Sequence, residues 1–364
     1  MSGPVLVMAG GTGGHIFPGL AVARALRERG VPVAWLGNPN GMEARVVPPT
    51  GIPMEYVSIG GLRGKGLSTK LLAPFRLISA LGQCLRIIRR LRPRVVLGMG
   101  GYVTGPAGLA AWLSRRPLVI HEQNAVAGLT NRLLSRFATE ILSAFPHSFP
   151  QADLGRAIGN PVRREISELP EPSVRFAGRT GRLRLLVFGG SQGALRLNQV
   201  VPAAIAQMPA GQRPEVLHQA GGRTLEIASA AYREAGLEAT VTPFIDDMAA
   251  AYAWADLAIC RSGALTVSEL AAAGLGSILV PFPAAVDDHQ TRNAGYLVEA
   301  GAARLIQESE LSEESLAALL GGLAADRPAL VAMATAARGR ALPDALDQLA
   351  AACLAAALRE GAAS

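Results

Sequence analysis

Residues 5–26 read VLVMAGGTGGHIFPGLAVARAL. The apolar run from Val5 to Met8 is followed by glycines on both sides of Thr12 and then by an amphipathic segment. This order is typical of a strand, an anion-binding loop and a helix N-terminus. His15 follows at the point where the loop becomes helix, the edge of the sheet where such folds bind ligands.

The loop departs from the dinucleotide fingerprint G-x-G-x-x-G, which needs an acid about 20 residues further on. Gly11 and Gly13 are present, but Ile16 stands near where the third glycine is required, and the second strand ends at Asn38 without an acid. A nicotinamide or flavin site is therefore not expected. The loop either offers backbone N–H groups to an anion or only makes a tight turn.

The same design recurs at residues 184–199, which read RLLVFGGSQGALRLNQ. Apolar runs alternate with helical patterns along the whole chain, which favours parallel sheets covered by helices. We therefore predict an α/β fold with two Rossmann-like, doubly wound parallel-sheet domains facing each other across a cleft. The expected strands lie near Val5–Met8, Val33–Leu36, Val95–Gly98, Leu118–His121, Ile141–Ala144, Leu183–Phe188, Glu215–Gln219, Thr240–Pro243, Leu257–Cys260 and Ser277–Pro281.

A chain of 364 residues is long for one hydrophobic core, which also favours two domains. We place the hinge in residues 157–182, a segment rich in proline, glycine and charge. The predicted domains are 1–160 and 161–341. The Ala-rich tail, about 342–364, is expected to form a helix that packs back on the first domain.

The three cysteines are far apart and follow no ligand-like spacing, which fits a reducing compartment. The N-terminus has no leader pattern. No apolar run approaches the roughly 20 residues that span a bilayer. These features predict a cytoplasmic protein that does not cross a membrane.

Charge is unevenly distributed along the chain. Residues 1–160 carry 18 Lys/Arg and 6 Asp/Glu, whereas the remainder carries 17 and 22. Between Glu55 and Glu122 there are eleven basic residues and no acidic one. This bias predicts an anionic partner for the N-terminal half. No nucleic-acid recognition module accompanies it, so nucleic acid is not the expected partner.

Seven motifs occur in order along the chain. They are GGTGGHIFPGLAVA, GMGGYVTGP, HEQNAVAGLTNRLL, IGNPVR, FGGSQGA, PFIDDMAAAYAWADLAICRSGALTVSELAAAG and DDHQTRNA. Together they closely resemble the bacterial GT-B glycosyltransferases that add N-acetylglucosamine to lipid I, the undecaprenyl-diphosphate-linked muramyl pentapeptide, to make lipid II. The resemblance runs from about Val5 to Ala294. It implies a UDP-N-acetylglucosamine donor, a lipid I acceptor and inversion at the anomeric carbon.

The resemblance also assigns donor contacts, mainly in the C-terminal domain. It implies that Glu269 accepts from the ribose hydroxyls, that Ser191 and Arg163 hold phosphate, and that the backbone of Ile245 meets uracil. A carboxylate suits a vicinal diol because its two oxygens can accept both hydroxyl protons. The residues so assigned are Thr12, Gly13, Gly14, Asn124, Arg163, Ser191, Ile245, Ala264, Leu265, Thr266, Val267, Ser268, Glu269 and Gln290.

The residues around Glu269 also allow a purely structural interpretation. Thr266 to Glu269 also fits a capping box in which Glu269 bonds backbone. No Asp-x-Asp element is placed for a divalent cation, so we expect neither metal nor cofactor. Helix N-termini and arginine can stabilise the leaving diphosphate instead.

The acceptor diphosphate is assigned to the N-terminal glycine loops. His15 is the candidate base for the acceptor 4-hydroxyl, because imidazole titrates near neutral pH, and Glu122 is the second candidate. His15 alone could equally be a cap or a packed neighbour. The residues expected at the diphosphate are Gly11, Gly13, Gly14, Gly101 and Tyr102.

Apolar residues recur at helical spacing from Pro74 onward, within the basic segment. This helix either buries its apolar face in the core or contacts an anionic membrane surface, to which each basic residue contributes about 1 kcal/mol. We expect a peripheral protein on the cytoplasmic face of the cell membrane. The candidate contact residues are Phe75, Ile78, Leu81, Leu85, Ile88, Leu67, Leu71, Leu72 and Trp112.

Three other functions compete with this interpretation. Another GT-B transferase, acting on a lipid such as diacylglycerol, would share the basic face and the UDP site but lack HEQN and the loop pair. A dehydrogenase is opposed by the broken fingerprints. A nucleotide-sugar-binding protein without catalytic activity is opposed only by His15 and the chemistry of the cleft.

Overall fold

The computed structural model describes residues 3–59, 73–151, 154–190, 193–285 and 288–361. The chain divides into two compact units. Unit 1 comprises Met1–Pro161 and Pro343–Ser364, and unit 2 comprises Val162–Leu342. Each unit is built on one parallel sheet with helices on its faces.

Unit 1 contains a seven-stranded parallel sheet. Its strands are β1 Val5–Ala9, β2 Val33–Gly37, β3 Met54–Tyr56, β4 Val95–Gly100, β5 Leu118–Glu122, β6 Glu140–Ser143 and β7 Arg156–Ala157. Their spatial order is β3-β2-β1-β4-β5-β6-β7. The first six strands therefore follow the doubly wound order. Strands β2 and β3 are added on one side of β1, and the strands from β4 onward are added on the other side.

The central strands of unit 1 are buried on both faces, which explains why they read as continuous apolar runs. Val5 and Val7 point into one core and Leu6 and Met8 into the other. The helices are α1 Gly13–Glu28, α2 Glu43–Val46, α3 Ala73–Leu91, α4 Thr104–Leu113, α5 Leu129–Leu134 and the C-terminal α15 Ala345–Gly361.

Helix α15 packs against α1 and against strands of the unit 1 sheet. Its apolar face contributes Leu349 and Cys353 to the same core as Val5. An ion pair of 2.5 Å between Arg29 and Asp347 also joins α1 to α15. The C-terminal segment is thus an integral part of unit 1.

Unit 2 repeats this topology with a six-stranded parallel sheet ordered β10-β9-β8-β11-β12-β13. The strands are β8 Arg184–Phe188, β9 Glu215–Gln219, β10 Thr240–Thr242, β11 Leu257–Cys260, β12 Ser277–Leu279 and β13 Ala303–Leu305. The helices are α6 Arg164–Ser167, α7 Pro172–Arg175, α8 Leu195–Gln207, α9 Leu225–Glu234, α10 Met248–Trp254, α11 Ala264–Ala273, α12 His289–Val298, α13 Glu313–Ala325 and α14 Arg327–Arg338.

The predicted pair of doubly wound parallel sheets is confirmed. Every strand expected from the sequence is present, with small differences at its ends. Three strands escaped prediction, namely β3, β7 and β13. All three are short edge strands with partly exposed side chains, so they lack the apolar run that marks a central strand.

The proposed hinge segment is more ordered than its composition suggests. From Arg164 onward it folds into unit 2, as α6 in its first half and α7 in its second half. Arg179 donates to three successive backbone carbonyls, those of residues 253 to 255, and pairs with Asp256 at 2.5 Å. These arginine contacts bond the second half of the segment to the end of α10, while its role as a hinge stays a prediction.

Within the described ranges, no single helix is long and apolar enough to cross a membrane. Helices α13 and α14 meet that criterion only when counted together, and they are bent by 96°.

Candidate active site

Two glycine loops meet at the carboxyl ends of β1 and β4 in unit 1. Gly101 has φ +92°, and a Cβ there would lie 2.2 Å from the carbonyl oxygen of Gly10. The Gly10 N–H donates to the Gly100 carbonyl at 3.4 Å, and Thr104 Oγ1 donates to the same carbonyl at 2.8 Å. Only glycine permits so close an approach, so these residues specify the contact between the loops.

His15 lies on the first turn of α1, half-buried against the second loop. Gly100 has φ +104°, and a Cβ on it would lie 2.8 Å from Nδ1 and Cε1 of His15. The imidazole Nδ1 is 2.8 Å from Oε1 of Gln123. Gln123 is buried and contacts His121, whose Nε2 is 2.9 Å from the Gly159 carbonyl oxygen. Burial lowers the pKa of His121 to about 4, while the Gly159 hydrogen bond and the Glu122 charge act in the opposite direction.

Glu122, the second candidate base, is buried, and its carboxylate is already hydrogen-bonded. Its carboxylate accepts four hydrogen bonds, from the Asn124 amide N–H and Nδ2, the Gly128 N–H and Asn131 Nδ2, at 2.9 to 3.2 Å. These donors use the lone pairs that a base would need. The arrangement fits a carboxylate that shapes the loop after β5.

Glu43 also shapes a loop, and it changes the expectation for Gly11. Its buried carboxylate accepts the Gly11 N–H at 3.1 Å and the Asn38 N–H at 2.8 Å. The N–H of Gly11 is therefore already bonded to Glu43 and is not available to the diphosphate of a ligand. The amides that the loop can still offer are those of Gly13 and Gly14, at the start of α1, where the described residues provide no side-chain cap.

A cavity of about 620 Å³ opens beside these loops within unit 1. Gly11 and Tyr102 line it, together with Glu43 and Asn38. Arg76 is the one cation among the described lining residues. The cavity therefore combines a glycine loop, a half-exposed aromatic ring and one positive charge.

The matching loop of unit 2, after β8, contains Gly189, Gly190 and Gly193. Gly193 has φ +73°, and a Cβ there would lie 2.1 Å from the Ala220 carbonyl oxygen. Gln219 fixes the loop by donating to the Gly190 carbonyl at 3.1 Å. Ser191 lies outside the described residues, so its assignment to phosphate stays a prediction.

Two residues that the sequence assigned separately to the donor come together in unit 2. Arg163 lies 3.3 Å from Oε1 of Glu269, and the buried Tyr252 hydroxyl donates to Oε2 at 3.0 Å. Burial raises the pKa of Glu269, with Arg163 and Tyr252 acting in the opposite direction. Glu269 lies in the middle of α11, the helix Ala264–Ala273, whose N-cap is Gly263.

The capping-box alternative is wrong. Thr266 lies inside α11 rather than at its N-cap, and both oxygens of Glu269 bond side chains instead of backbone. Helix α11 begins directly after Gly263, so residues 264–269 are all helical.

The other assigned residues are distributed over both units. Gln290, on α12, accepts the Phe282 N–H at 2.9 Å, and Ile245 is half-buried in the loop before α10. Thr12, Gly13, Gly14 and Asn124 belong to unit 1, whereas Arg163, Ile245, Gln290 and residues 264–269 belong to unit 2.

No group of three His, Cys, Asp or Glu side chains suited to a metal occurs in the part of the chain that the structure describes. Asp247 caps α10 by accepting the Ala250 N–H at 2.9 Å. All three cysteines are buried and unpaired, and burial raises the pKa of each thiol.

Sequence reasoning missed four polar residues, namely His121, Gln123, Glu43 and Tyr252. A signal for the first two was present, because His121 and Gln123 are polar residues at the end of an otherwise apolar strand. Glu43 and Tyr252 gave no such signal, because their partners lie at positions that only the fold brings close.

Two doubly wound domains, with glycine loops at the carboxyl ends of their first strands, define a GT-B glycosyltransferase. The solved structure of Acinetobacter baumannii MurG matches this chain with a TM-score of 0.87 and 42% identity, covering 97% of this chain and 99% of that one.

The chain belongs to glycosyltransferase family 28. The family's N-terminal domain matches residues 5–143 and its C-terminal domain matches residues 184–349. Two relatives are each named UDP-N-acetylglucosamine–N-acetylmuramyl-(pentapeptide) pyrophosphoryl-undecaprenol N-acetylglucosamine transferase. The one from Marinobacter nauticus is 58% identical, covering 97% of both chains. The one from Alkalilimnicola ehrlichii is 60% identical, covering 97% of this chain and 99% of the relative.

Proposed function

We propose that this enzyme transfers N-acetylglucosamine from UDP-N-acetylglucosamine to the 4-hydroxyl of the muramyl residue of lipid I. The product is lipid II, and the new linkage is β because a single displacement inverts the α-linked donor. The observation that carries the proposal is the placement of His15 against Gly100, where two glycine loops meet. Gly10, Gly11 and Tyr102 of these loops line a cavity of about 620 Å³. Full-length similarity to enzymes named for this transfer supports the choice of substrates.

His15 is the base in this proposal. Its imidazole is half-buried and held by Gln123, whereas the carboxylate of Glu122 is taken up by four hydrogen bonds. Glu122 would have to lose one of those contacts to accept a proton. The imidazole needs no such change, so His15 is favoured over Glu122.

The acceptor diphosphate is proposed to lie at the free amides of Gly13 and Gly14, near Gly101 and Tyr102. An uncapped helix N-terminus and adjacent glycine N–H groups form a suitable anion site. Arg76, which lines the neighbouring cavity, supplies a positive charge for the same group.

The donor site is proposed in unit 2, around Arg163 and Glu269. The ribose hydroxyls donate to the Glu269 carboxylate, and Arg163, which is half-exposed, turns from that carboxylate to the diphosphate. Uracil contacts the backbone of Ile245. Negative charge that grows on departing UDP is stabilised by Arg163 and by the loop after β8. Asn124 and Gln290 contact sugar hydroxyls.

The test is transfer of radiolabelled sugar from UDP-N-acetylglucosamine to a short-chain lipid I analogue, with diacylglycerol as the alternative acceptor. We expect labelled product from lipid I only. Transfer to diacylglycerol alone would favour the lipid-glycosylating alternative. Folded enzyme that binds UDP but labels neither acceptor would refute the transfer proposal and leave a nucleotide-sugar binder.

We also propose that the enzyme attaches to the cytoplasmic face of the cell membrane. Helix α3 buries Ala80 and Cys84 in the core but exposes the side chains of Phe75 and Ile78 to 72% and 68%. Trp112, on the neighbouring α4, is also exposed. Ala80 and Cys84 thus pack in the core, as one of the two expectations for this helix had it, whereas contact of Phe75 and Ile78 with a membrane is part of the proposal. Leu67, Leu71 and Leu72 lie outside the described residues.

Flotation with vesicles tests this attachment. Anionic phosphatidylglycerol vesicles should carry the enzyme and neutral phosphatidylcholine vesicles should not, because exposed arginines accompany the apolar residues. The double variant Phe75→Ser, Ile78→Ser should stay unbound. Val174→Ser, which changes an equally exposed apolar residue of unit 2, is the matched control and should float as wild type does. Equal flotation of both variants would contradict the proposal.

A further inference from the structure

A series of polar side chains leads from His15 into the core of unit 1, and the direction of each hydrogen bond can be determined. Nε2 of Gln123 lies 3.0 Å from the backbone carbonyl oxygen of His121. A carbonyl oxygen only accepts, so the NH₂ end of the amide must face it. The carbonyl end of Gln123 consequently faces Nδ1 of His15, 2.8 Å away.

The ring of His121 imposes the same orientation independently. Its Nε2 lies 2.9 Å from the Gly159 carbonyl oxygen, so Nε2 carries the proton. The ring is neutral at physiological pH because burial lowers its pKa to about 4. Nδ1 is then an acceptor, and Gln123 Nε2 donates to it at 3.1 Å.

We propose that Gln123, held by His121, is a positioning residue that fixes the tautomer of His15. Oε1 of Gln123 can only accept, so Nδ1 of His15 must carry the proton and Nε2 must hold the lone pair. Among the described residues, Nε2 of His15 has no hydrogen-bond partner. Gly100 lies against the Nδ1–Cε1 edge of the ring, which leaves Nε2 as the nitrogen for an incoming hydroxyl.

The role in catalysis rests on the proposed function. Nε2 of His15 takes the proton of the acceptor 4-hydroxyl while that oxygen bonds to the anomeric carbon. The bond between this carbon and the diphosphate oxygen breaks, and its electron pair leaves with UDP. The imidazolium keeps its Nδ1–H bonded to Gln123. A neutral amide orients the ring without the negative charge that would hold it in the protonated form.

Imidazole ¹⁵N NMR of histidine-labelled enzyme, without substrate and at mildly alkaline pH, tests the tautomer directly. His218 is the internal reference, because its Nε2 faces Oδ1 of Asn198 at 3.0 Å and therefore carries the proton, as in His121. We expect His15 to be the opposite tautomer, with the proton on Nδ1. The signal of His15 is assigned because it is absent from the spectrum of His15→Asn. An Nε2–H signal for His15, or an equal mixture, would overturn the proposal.

Two variants of matched length test the positioning role. Gln123→Met removes the acceptor and should give mixed tautomers and a kcat lower by about 10- to 100-fold, part of the ~10²–10⁴-fold that a positioned base contributes. Gln123→Glu keeps an acceptor toward His15 and should restore the Nδ1–H bond, but its negative charge favours the protonated ring and should move the pH–rate profile to higher pH. Circular dichroism and cooperative thermal unfolding report that both variants fold.

Mixed tautomers in Gln123→Met at the wild-type rate would refute the positioning role. A wild-type enzyme with the Nδ1–H signal and no transfer would instead refute the proposed function while leaving the tautomer assignment intact.

Discussion

The two units carry polar clusters of similar size and opposite character. The neutral cluster of unit 1 comprises His15, Gln123 and His121, and the buried His121 is uncharged because its pKa is lowered to about 4. The ionic cluster of unit 2 comprises Arg163, Glu269 and Tyr252. Its carboxylate is partly desolvated, so its pKa is raised.

This difference in charge determines what each cluster can do. In the neutral cluster every hydrogen bond has one possible direction, which suits a group that must present one nitrogen to a substrate. In the ionic cluster, Arg163 and the Glu269 carboxylate are joined by a 3.3 Å contact, with the arginine half-exposed. Such a pair can exchange its partner for the hydroxyl and diphosphate groups of a ligand.

The largest effect expected from the ionic cluster is on donor binding. Glu269→Gln should raise the Kd for UDP by about 10- to 100-fold, because a hydrogen bond to a charged group contributes about 1.5–3 kcal/mol. Calorimetric titration measures this change. Glu226→Gln, at an exposed ion pair of unit 2, should bind UDP as wild type does. Equal Kd values for Glu269→Gln and wild type would remove Glu269 from the donor site.

The next prediction compares His121, in the neutral cluster, with His218, a buried histidine outside both clusters. His218 is as buried as His121, but its partners among the described residues are Asn198 and Tyr232. Leucine at either position should lower the free energy of unfolding by about 1–3 kcal/mol, because buried partners are left unsatisfied. Only His121→Leu should also lower kcat, by about tenfold. Similar kcat values for the two folded variants would mean that His121 is structural only.

Acid should destabilise the protein through the same two histidines. Burial lowers the pKa of His121 to about 4 and that of His218 to about 3, against about 6.5 in the unfolded chain. A lowered pKa gives stability that is present above pH ~6.5 and lost as pH falls toward the folded value. Denaturant unfolding between those limits should show this slope, and His218→Leu should reduce it. An unchanged slope in that variant would contradict the assignment.

The smallest effect is expected from Tyr252→Phe. Loss of the 3.0 Å hydrogen bond to Glu269 should cost about 1 kcal/mol of stability. The variant should also lose UDP binding at a higher pH than wild type does when the solution is acidified. The reason is that the tyrosine hydroxyl lowers the pKa of Glu269 and so helps to keep its carboxylate ionised. UDP titrations across acidic pH measure this shift. A shift to lower pH would mean that the hydroxyl opposes ionisation.

The fold was predictable because each central strand has its own sequence signal. An apolar run followed by glycines marks β1 and β8, and both begin a doubly wound sheet. The short edge strand β13 and the packed half of residues 157–182 were not predictable. Their order depends on contacts with distant backbone, such as those of Arg179 with residues 253–255.

The site was predictable where a residue type at a loop is itself the signal. His15 and Gly101 gave such signals. The partners that define their roles did not, because Gln123 is 108 residues from His15 along the chain and Arg163 is 106 residues from Glu269. The sequence therefore offered Glu122 as a rival base, and only the four donors around its carboxylate argue against that role.

The most direct measurement compares wild type and His15→Ala in transfer from UDP-N-acetylglucosamine to the lipid I analogue, at saturating donor. We predict that the variant binds UDP with the wild-type Kd and transfers about 10²–10⁴-fold more slowly. A folded variant that transfers at the wild-type rate would contradict the assignment of His15 as the base.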